Sequence, residues 1–369
     1  MKTAKRKSVH ERFMAMCLAL AEKGKGRVSP NPLVGAALVR DGRVIARGYH
    51  RRFGSPHAEA ECIRRARGSL RNATLYVNLE PCVHHGKTPP CVDLIVASGI
   101  RRVVAGMQDP NPIVAGRGIR KLRRNGIRVT VGVLREEAES LNRRFIRHIT
   151  RRRPYVHVKI AQSLDGMIAR RGVKRGVISS RRSRELVHRW RAEYDAVMVG
   201  GSTIRTDDPR LTVRLAHGRD PAVIILDGRL SVPSHATVFR AGRERSVYLC
   251  ATRRAIDAKK SKALRLEELG VQLIAFPERN SRIPLRHVFA ELYKRNIASI
   301  LVEGGRDVFS QVLRDGPLDE LSIFVSPKLI GDGVPSVAFP GKAVTRKMRL
   351  GRVSSRPSGN DLLLTALFD

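Results

Sequence analysis

One imidazole and two thiols fall within a single short stretch of this chain: His57, then Cys82 and Cys91. A neutral imidazole and two thiolates are donors that suit zinc, and three of them leave a tetrahedral ion one position open to water. Water held there is acidified to a pKa of about 7 and becomes a nucleophile at neutral pH. Glu59 stands two residues from His57, where it would carry that water's proton without being a ligand. Cys91 is expected to open a helix, whose positive end favours the thiolate that metal binding needs.

The order of these residues narrows the chemistry. His57-Ala58-Glu59 at a helix start, then a strand, then Pro81-Cys82 is the His-x-Glu … Pro-Cys signature of zinc-dependent nucleobase deaminases. There, water attacks a ring carbon bearing an exocyclic amine. Glu59 would take the water proton, pass it to a ring nitrogen and later protonate the departing ammonia. Two other readings use the same residues. A structural zinc would take a fourth protein ligand from His84, His85 or Cys62, and with no metal these are ordinary loop and core positions. Eight residues separate Cys82 from Cys91, where deaminases commonly carry Pro-Cys-x-x-Cys.

The elements around these residues follow from periodicity and turn chemistry. Phe13, Met16, Cys17, Leu20 and Ala21 repeat at three- and four-residue steps, which predicts a helix over 8–23. Strands are expected over 34–39 and 44–49, turning at Asp41-Gly42. A helix over 57–67 puts His57 and Glu59 at its start. A strand over 74–79 leads to Pro81-Cys82, and a helix over 91–98 starts at Cys91. A strand (102–107), helix (118–125), strand (128–133) and helix (136–147) complete a three-layer α/β/α unit. The run Thr150-Arg151-Arg152-Arg153-Pro154 marks a boundary, giving domains over 1–148 and 154–369. The pattern then restarts with apolar strands over 155–161, 195–199, 222–226, 246–249, 271–275, 299–302, 320–325 and 362–367. Helices are expected over 182–193 and 307–314. Val197 to Thr203 and Leu301 to Gly305 each run from strand through glycines into a helix, a form that brings backbone N–H groups to phosphates. Neither carries Gly-x-Gly-x-x-Gly, so no dinucleotide fingerprint is present.

Composition sets the outer bounds. A chain of 369 residues, 42% apolar, is expected to form two domains. No run of 18 or more apolar residues occurs, so no membrane association is expected, and the location is read as cytoplasmic. The five cysteines are odd in number and widely spaced, which argues against a disulfide framework. The formal charge of +38 would attract nucleic acid and phosphorylated small molecules alike. The arginines are spread along the chain and aromatics are only 5%, which leaves little for base stacking, so no specific nucleic-acid partner is expected.

Several motifs together resemble one family. They are Asn31-Pro32-Leu33-Val34-Gly35, Gly48-Tyr49-His50, His57-Ala58-Glu59, the long loop Pro-Cys-x-His-x-Gly-x-Thr-Pro-Pro-Cys ending at Cys91, and Gln108-Asp109-Pro110-Asn111-Pro112. In the second half they are Val158-Lys159, Ser163-Leu164-Asp165-Gly166, Asp207-Asp208-Pro209-Arg210-Leu211-Thr212-Val213-Arg214 and Val302-Glu303-Gly304-Gly305. This set resembles the bifunctional riboflavin-biosynthesis enzymes, a pyrimidine deaminase fused to a pyrimidine ribosyl reductase. The resemblance implies an α/β architecture: a cytidine-deaminase-like domain followed by a dihydrofolate-reductase-like domain. It implies zinc on His57, Cys82 and Cys91 with Glu59 catalytic, and substrate contacts from Asn31, His50 and Lys87. In the reductase half it implies NADPH contacts from Ala161, Val177, Thr203, Asp207 and Gly305. Substrate contacts there would come from Arg175, Arg191, Leu211, Arg214 and Glu303, with Lys159 and Asp165 as polar helpers near the reduced carbon. The partners implied are a phosphorylated pyrimidine and further copies of the same chain.

One departure stands out. The family usually has Ser-x-Trp-Ile-Ser/Thr after the first reductase strand, and Arg175-Gly176-Val177-Ile178-Ser179 occupies that place. Losing the aromatic would weaken cofactor stacking, so a deaminase whose second half binds without reducing is the alternative. Trp190, the one tryptophan, lies beside Leu186 and Val187 and is expected in the core. A polynucleotide-editing protein is the third reading, and it predicts ammonia release from RNA and salt-dependent binding.

Overall fold

The computed structural model describes residues 8–83, 89–172, 176–241, 244–278, 283–338 and 351–368. By contact density the chain divides into two compact units, Met1–Arg152 and Arg153–Asp369. No helix among the described residues is long and apolar enough to cross a membrane.

The first unit runs α1 (Val9–Glu22), β1 (Gly35–Arg40), β2 (Arg43–Tyr49), α2 (Ala58–Arg65), β3 (Thr74–Leu79), α3 (Cys91–Ala97), β4 (Arg102–Met107), α4 (Arg117–Arg124), β5 (Arg128–Val131), α5 (Arg135–Leu141) and α6 (Arg143–Arg151). The strands form one sheet in the order β2-β1-β3-β4-β5, with β3, β4 and β5 parallel. Strand geometry sends successive side chains to opposite faces. Ala36 and Leu38 of β1 accordingly enter the core shared with α2, while Ala37 and Val39 enter the one shared with α1. α1 starts with a reciprocal cap: Glu11 donates its backbone N–H to Ser8 Oγ at 3.2 Å, and Ser8 donates its own to Glu11 Oε2 at 2.7 Å. The close seat of α2 depends on Gly48, where a Cβ would stand 2.5 Å from the Ala58 carbonyl oxygen.

The helix expected over 136–147 is two helices broken at Asn142. The periodicity is continuous, but the buried Asn142 side chain accepts from Leu33 N (2.8 Å) and donates to Leu33 O (3.0 Å). The Asn142 backbone keeps its bonds to Ala138 O (3.1 Å) and from Ile146 N (2.9 Å), while its side chain ties this break to a distant loop, a link hydropathy does not register.

The second unit runs β6 (Tyr155–Ser163), β7 (Met167–Arg170), α7 (Arg181–Glu193), β8 (Ala196–Gly200), α8 (Gly201–Asp207), β9 (Ala222–Leu226), β10 (Val247–Thr252), α9 (Arg253–Ala258), α10 (Lys260–Glu268), β11 (Val271–Phe276), α11 (Leu285–Lys294), β12 (Ser299–Gly304), α12 (Arg306–Asp315), β13 (Glu320–Ser326), β14 (Gly333–Pro335), β15 (Val353–Ser358) and β16 (Asp361–Leu367). Nine strands make one sheet, β11-β10-β9-β8-β12-β6-β13-β16-β15, parallel from β11 through β13 and antiparallel at β16 and β15. Both faces are covered. Ala196 and Met198 of β8 join one core, and Val197 and Val199 join the other. Trp190 packs against Phe324 and His157, with ring centroids 5.6 and 4.9 Å away, as a core residue. The short pair β7–β14 and the exposed strand β15 lack the apolar runs that reveal the central strands.

Candidate functional site

In the first unit the site forms where α2, β3 and α3 meet. His57 is the N-cap of α2, Cys82 follows the end of β3 by three residues, and Cys91 is the first residue of α3. Their ligand atoms lie within 4.8 Å of one another, and no other such group of His, Cys, Asp or Glu occurs among the described residues. His57 Nδ1 is 3.5 Å from Cys82 Sγ and 3.3 Å from Cys91 Sγ. Cys91 beside it holds the Cys82 thiol down at about 4, while Cys82 and burial drive that of Cys91 upward. The Cys91 backbone N–H adds a bond to Cys82 Sγ at 3.4 Å. One imidazole nitrogen and two convergent sulfurs, one already favoured as thiolate, are a donor set that fits zinc. Cys62 is not in the group; burial pushes its thiol up to about 12. His84, His85 and Lys87 lie outside the described residues.

Asn31, His50, His57, Glu59, Cys82 and Asp109 are among the residues lining a cavity of about 140 Å³. Burial pushes the Glu59 carboxyl up to about 7, against the pull of His57, so it can both take and give a proton near neutrality. His50 has one tautomer consistent with its partners. Pro56 O can only accept, so Nδ1 donates to it (3.2 Å), and Nε2 accepts from Asn31 Nδ2 (3.2 Å). Burial keeps this ring neutral by lowering its pKa.

Glu80, just before Pro81, carries no signal of its role in the sequence. Its buried carboxylate accepts backbone N–H bonds from Asp109 (3.1 Å), Gly116 (2.9 Å) and Ile119 (3.1 Å). It thereby fixes the segment that brings Asp109 and Asn111 to the cavity. Gly118 lies against this strut, and a Cβ there would come 2.2 Å from the Pro81 carbonyl oxygen.

In the second unit a cavity of about 500 Å³ opens at the carboxyl ends of β6, β8 and β12, beside α7. Of the residues singled out from sequence, Lys159, Ala161, Val177, Arg191, Thr203, Asp207, Arg214, Glu303 and Gly305 line it. Arg175 lies outside the described residues. Two of the expected contacts sit differently from the others. Leu211 is 3% exposed and its side chain belongs to the core. Asp165 braces a turn, accepting from Ser163 Oγ (2.5 Å) and from Gly331 N (2.7 Å), and does not line the cavity. Gly305 approaches Thr203 so closely that a Cβ would stand 2.9 Å from the threonine Oγ1. Val177 is 60% exposed.

The polar floor of this cavity is one ion pair. Arg191 donates Nε and Nη2 to the two Glu303 oxygens at 2.6 and 2.7 Å. Burial pushes the Glu303 carboxyl up, but Arg191 outweighs it and holds Glu303 below its ordinary value. Burial lowers the Lys159 pKa against the pull of Glu303. Arg184 and His188 also line the cavity. Sequence reading passed over them, although 184, 188 and 191 fall on one helical stripe.

Comparison with known proteins covers nearly the whole chain. Residues 154–364 match the RibD C-terminal domain, and residues 7–107 match the cytidine and deoxycytidylate deaminase zinc-binding region. The chain is 38% identical to the riboflavin biosynthesis protein RibD of Aquifex aeolicus over 97% of this chain and 98% of that one. The Escherichia coli RibD is 37% identical over 87% of this chain and 88% of its own length. Among solved structures, a diaminohydroxyphosphoribosylaminopyrimidine deaminase/5-amino-6-(5-phosphoribosylamino)uracil reductase from Thermotoga maritima superposes with a TM-score of 0.85. It is 39% identical and covers 97% of this chain and 98% of itself. Acinetobacter baumannii RibD superposes at 0.87 with 31% identity and the same coverage. The two units accordingly have the cytidine-deaminase-like and dihydrofolate-reductase-like folds. The chain belongs to the RibD family, in which a zinc-dependent deaminase and an NADPH-dependent reductase of riboflavin biosynthesis are joined in one polypeptide.

Proposed function

We propose that this chain carries out two consecutive steps. Its residues 1–148 deaminate 2,5-diamino-6-ribosylamino-4(3H)-pyrimidinone 5′-phosphate. Its residues 154–369 reduce the ribosyl group of the product to ribityl, giving 5-amino-6-(5-phospho-D-ribitylamino)uracil. The observation that carries the reading is the joint presence of the His57–Cys82–Cys91 donor set with a buried Glu59 in one unit and a cavity floored by Arg191–Glu303 in the other. Free buried thiols and the absence of any long apolar helix among the described residues support a cytoplasmic enzyme. Assembly into a homo-oligomer is part of the same proposal.

In the first step His57 and the sulfurs of Cys82 and Cys91 would hold the metal. When bound, zinc supplies a water acidified to about neutral pH. Glu59 takes the first proton of the attacking water and delivers it to the ring nitrogen, then takes the second from the hydroxyl of the tetrahedral adduct and gives it to the amine that leaves as ammonia. Asn31 and His50, locked to each other, set the edge of the pocket against which the pyrimidine lies. Lys87 belongs to the same substrate set.

In the second step NADPH supplies the hydride. Ala161, Val177, Thr203, Asp207 and Gly305 form its side of the cavity. Glu303, oriented by Arg191, accepts from substrate hydroxyls. Lys159, its pKa lowered by burial, supplies the proton that balances hydride addition at the ribosyl carbon. Arg175, Arg214 and the backbone at Leu211 address the phosphorylated side chain.

The test is a coupled assay with the diaminopyrimidine phosphate, zinc and NADPH. Ammonia release followed by NADPH oxidation is expected. Ammonia release without oxidation, even when deaminated substrate is supplied, would leave a deaminase alone. Ammonia released from RNA and not from the pyrimidine phosphate would overturn both steps.

A further inference from the structure

Phe145 is an aromatic residue that the core of the first unit does not use. It sits in the first turn of α6 and is half-buried. Among the described residues it joins none of the hydrophobic clusters, although its neighbour Ile146 packs against the one shared with α2. Nor does it pack on another aromatic ring among those residues. Its place is the wall of the first cavity, where the other apolar groups are Pro32, Val34 and Leu79. Val34 and Leu79 belong to the core cluster, so Phe145 is the one large ring in that wall left for a ligand.

The break at Asn142 puts the ring there. The Asn142 side chain holds Leu33 N and Leu33 O, at 2.8 and 3.0 Å. Asn78 of β3 grips the same stretch, donating to Leu33 O (2.9 Å) and accepting from Gly35 N (2.8 Å). The stretch so clamped carries Asn31, Pro32 and Val34 to the cavity. Phe145 follows Asn142 by three residues, so the two side chains leave neighbouring positions on one face of α6. Two hydrogen bonds thus tie the helix that bears Phe145 to the segment that bears Asn31. Parts already tied together need no further ordering when a ligand arrives.

The chemistry of the site calls for such a ring. Water adds to a ring carbon from above the ring plane, whereas hydrogen bonds to ring nitrogens and oxygens lie within that plane. Asn31, His50 and Asp109 therefore address the edge of a bound pyrimidine, and one of its faces must turn toward His57, Cys82 and Cys91. The remaining face needs a cover that holds the plane at the angle of attack. An aromatic side chain does this for a heteroaromatic ligand through its own π-face. We propose that Phe145 is the surface on which the pyrimidine ring stacks during deamination, with Asn142 as its positioning residue. The identity of that pyrimidine rests on the function proposed above.

Binding is measured by calorimetry on the full, zinc-loaded chain carrying Glu59→Gln, which holds the substrate without consuming it. Two ligands are compared: the diaminopyrimidine phosphate and its free ring, 2,5,6-triaminopyrimidin-4-one. Phe145→Leu and Phe145→Met keep an apolar side chain and remove the ring, whereas Phe145→Tyr keeps the ring. Each ringless variant is expected to weaken both ligands about 10- to 100-fold, with zinc content unchanged and Phe145→Tyr near wild type. Asn142→Ala should weaken them by a similar factor, and combining it with Phe145→Leu should add little, as expected of residues that act together. With Glu59 restored, KM for deamination should rise in Phe145→Leu by the factor seen in binding. Affinity retained in Phe145→Leu or Phe145→Met, or lost as fully in Phe145→Tyr, overturns the stacking role. Fully additive losses overturn the positioning role of Asn142. A chain that binds the free ring through Phe145 yet releases no ammonia from the phosphorylated substrate overturns the substrate reading and leaves the stacking surface standing. A chain that binds neither ligand overturns both.

Discussion

In the first unit the ligand atoms hang from three chain turns spanning residues 57 to 91, at the start of α2, the end of β3 and the start of α3. In the second, Lys159, Arg191, Arg214 and Glu303 come from β6, α7, a loop and β12, more than 140 residues apart along the chain at the extremes. The first cavity measures about 140 Å³ and the second about 500 Å³. The small site is buttressed by one carboxylate, Glu80, gripping three backbone amides. The large one is buttressed by an ion pair and by side chains that brace a loop. A metal needs few donors at fixed distances, which short segments at helix and strand ends can supply. A site that takes both a dinucleotide and a sugar phosphate needs a long groove, which only several strands of one sheet can line.

The contrast can be broken experimentally. The largest effect is expected from a strong zinc chelator or from Glu59→Gln. Either should lower deamination by about 10²- to 10⁴-fold. NADPH oxidation with pre-deaminated substrate should be unchanged, and metal analysis should find zinc retained in Glu59→Gln. Loss of both activities together would show that the units do not work separately.

Next in size is the buried pair of the second unit. Arg191→Met leaves Glu303 charged and unpaired, so a loss of about 3–5 kcal/mol is expected, read by calorimetry as a lower transition for the reductase unit alone. Deaminase activity should persist. Glu80→Ala is the counterpart in the first unit. It strips the acceptor from three amides and should cost about 2–3 kcal/mol, with deamination falling and NADPH oxidation preserved.

The smallest effect concerns pH. The His188 pKa is lowered from 6.5 to about 4 in the folded chain. On acidification the unfolded chain takes up a proton first, near 6.5, and the folded chain follows only near 4. The contribution is therefore fully present above 6.5, declines as pH falls, and is gone below 4. Melting of the second unit should show this slope, and His188→Asn should flatten it. An unaltered slope would place the titration elsewhere.

Much of the first site was legible because its chemistry is written in residue types that have few other uses at such spacing. His57, Cys82 and Cys91 converge as the pattern required, and Asn31 and His50 share their cavity. Glu80 and Asn142 were not legible as struts. A carboxylate or amide that binds distant backbone N–H groups leaves no periodic trace, since its partners are identical at every residue. In the second unit the central strands declared themselves by apolar runs, whereas β7, β14 and β15 are polar, short or exposed. Leu211 and Asp165 lie in matching motifs, which do not show that the Leu211 side chain is core or that Asp165 braces a turn.

The sequence alone determined the donor types, the two-unit order of strands and helices and, through the long spacing between Cys82 and Cys91, the family to which they point. Those are properties of residue identity and local periodicity. Tertiary structure decided which partners each arginine meets. Arg191 and Arg214 are equivalent in sequence terms, both cations in matching motifs. Packing places Glu303 and Thr212 O against the first and leaves the second beside His188 and Arg184. A guanidinium binds whatever acceptors the fold sets within about 3 Å, and that is fixed by the approach of β12 and the braced loop to α7, not by the arginine itself.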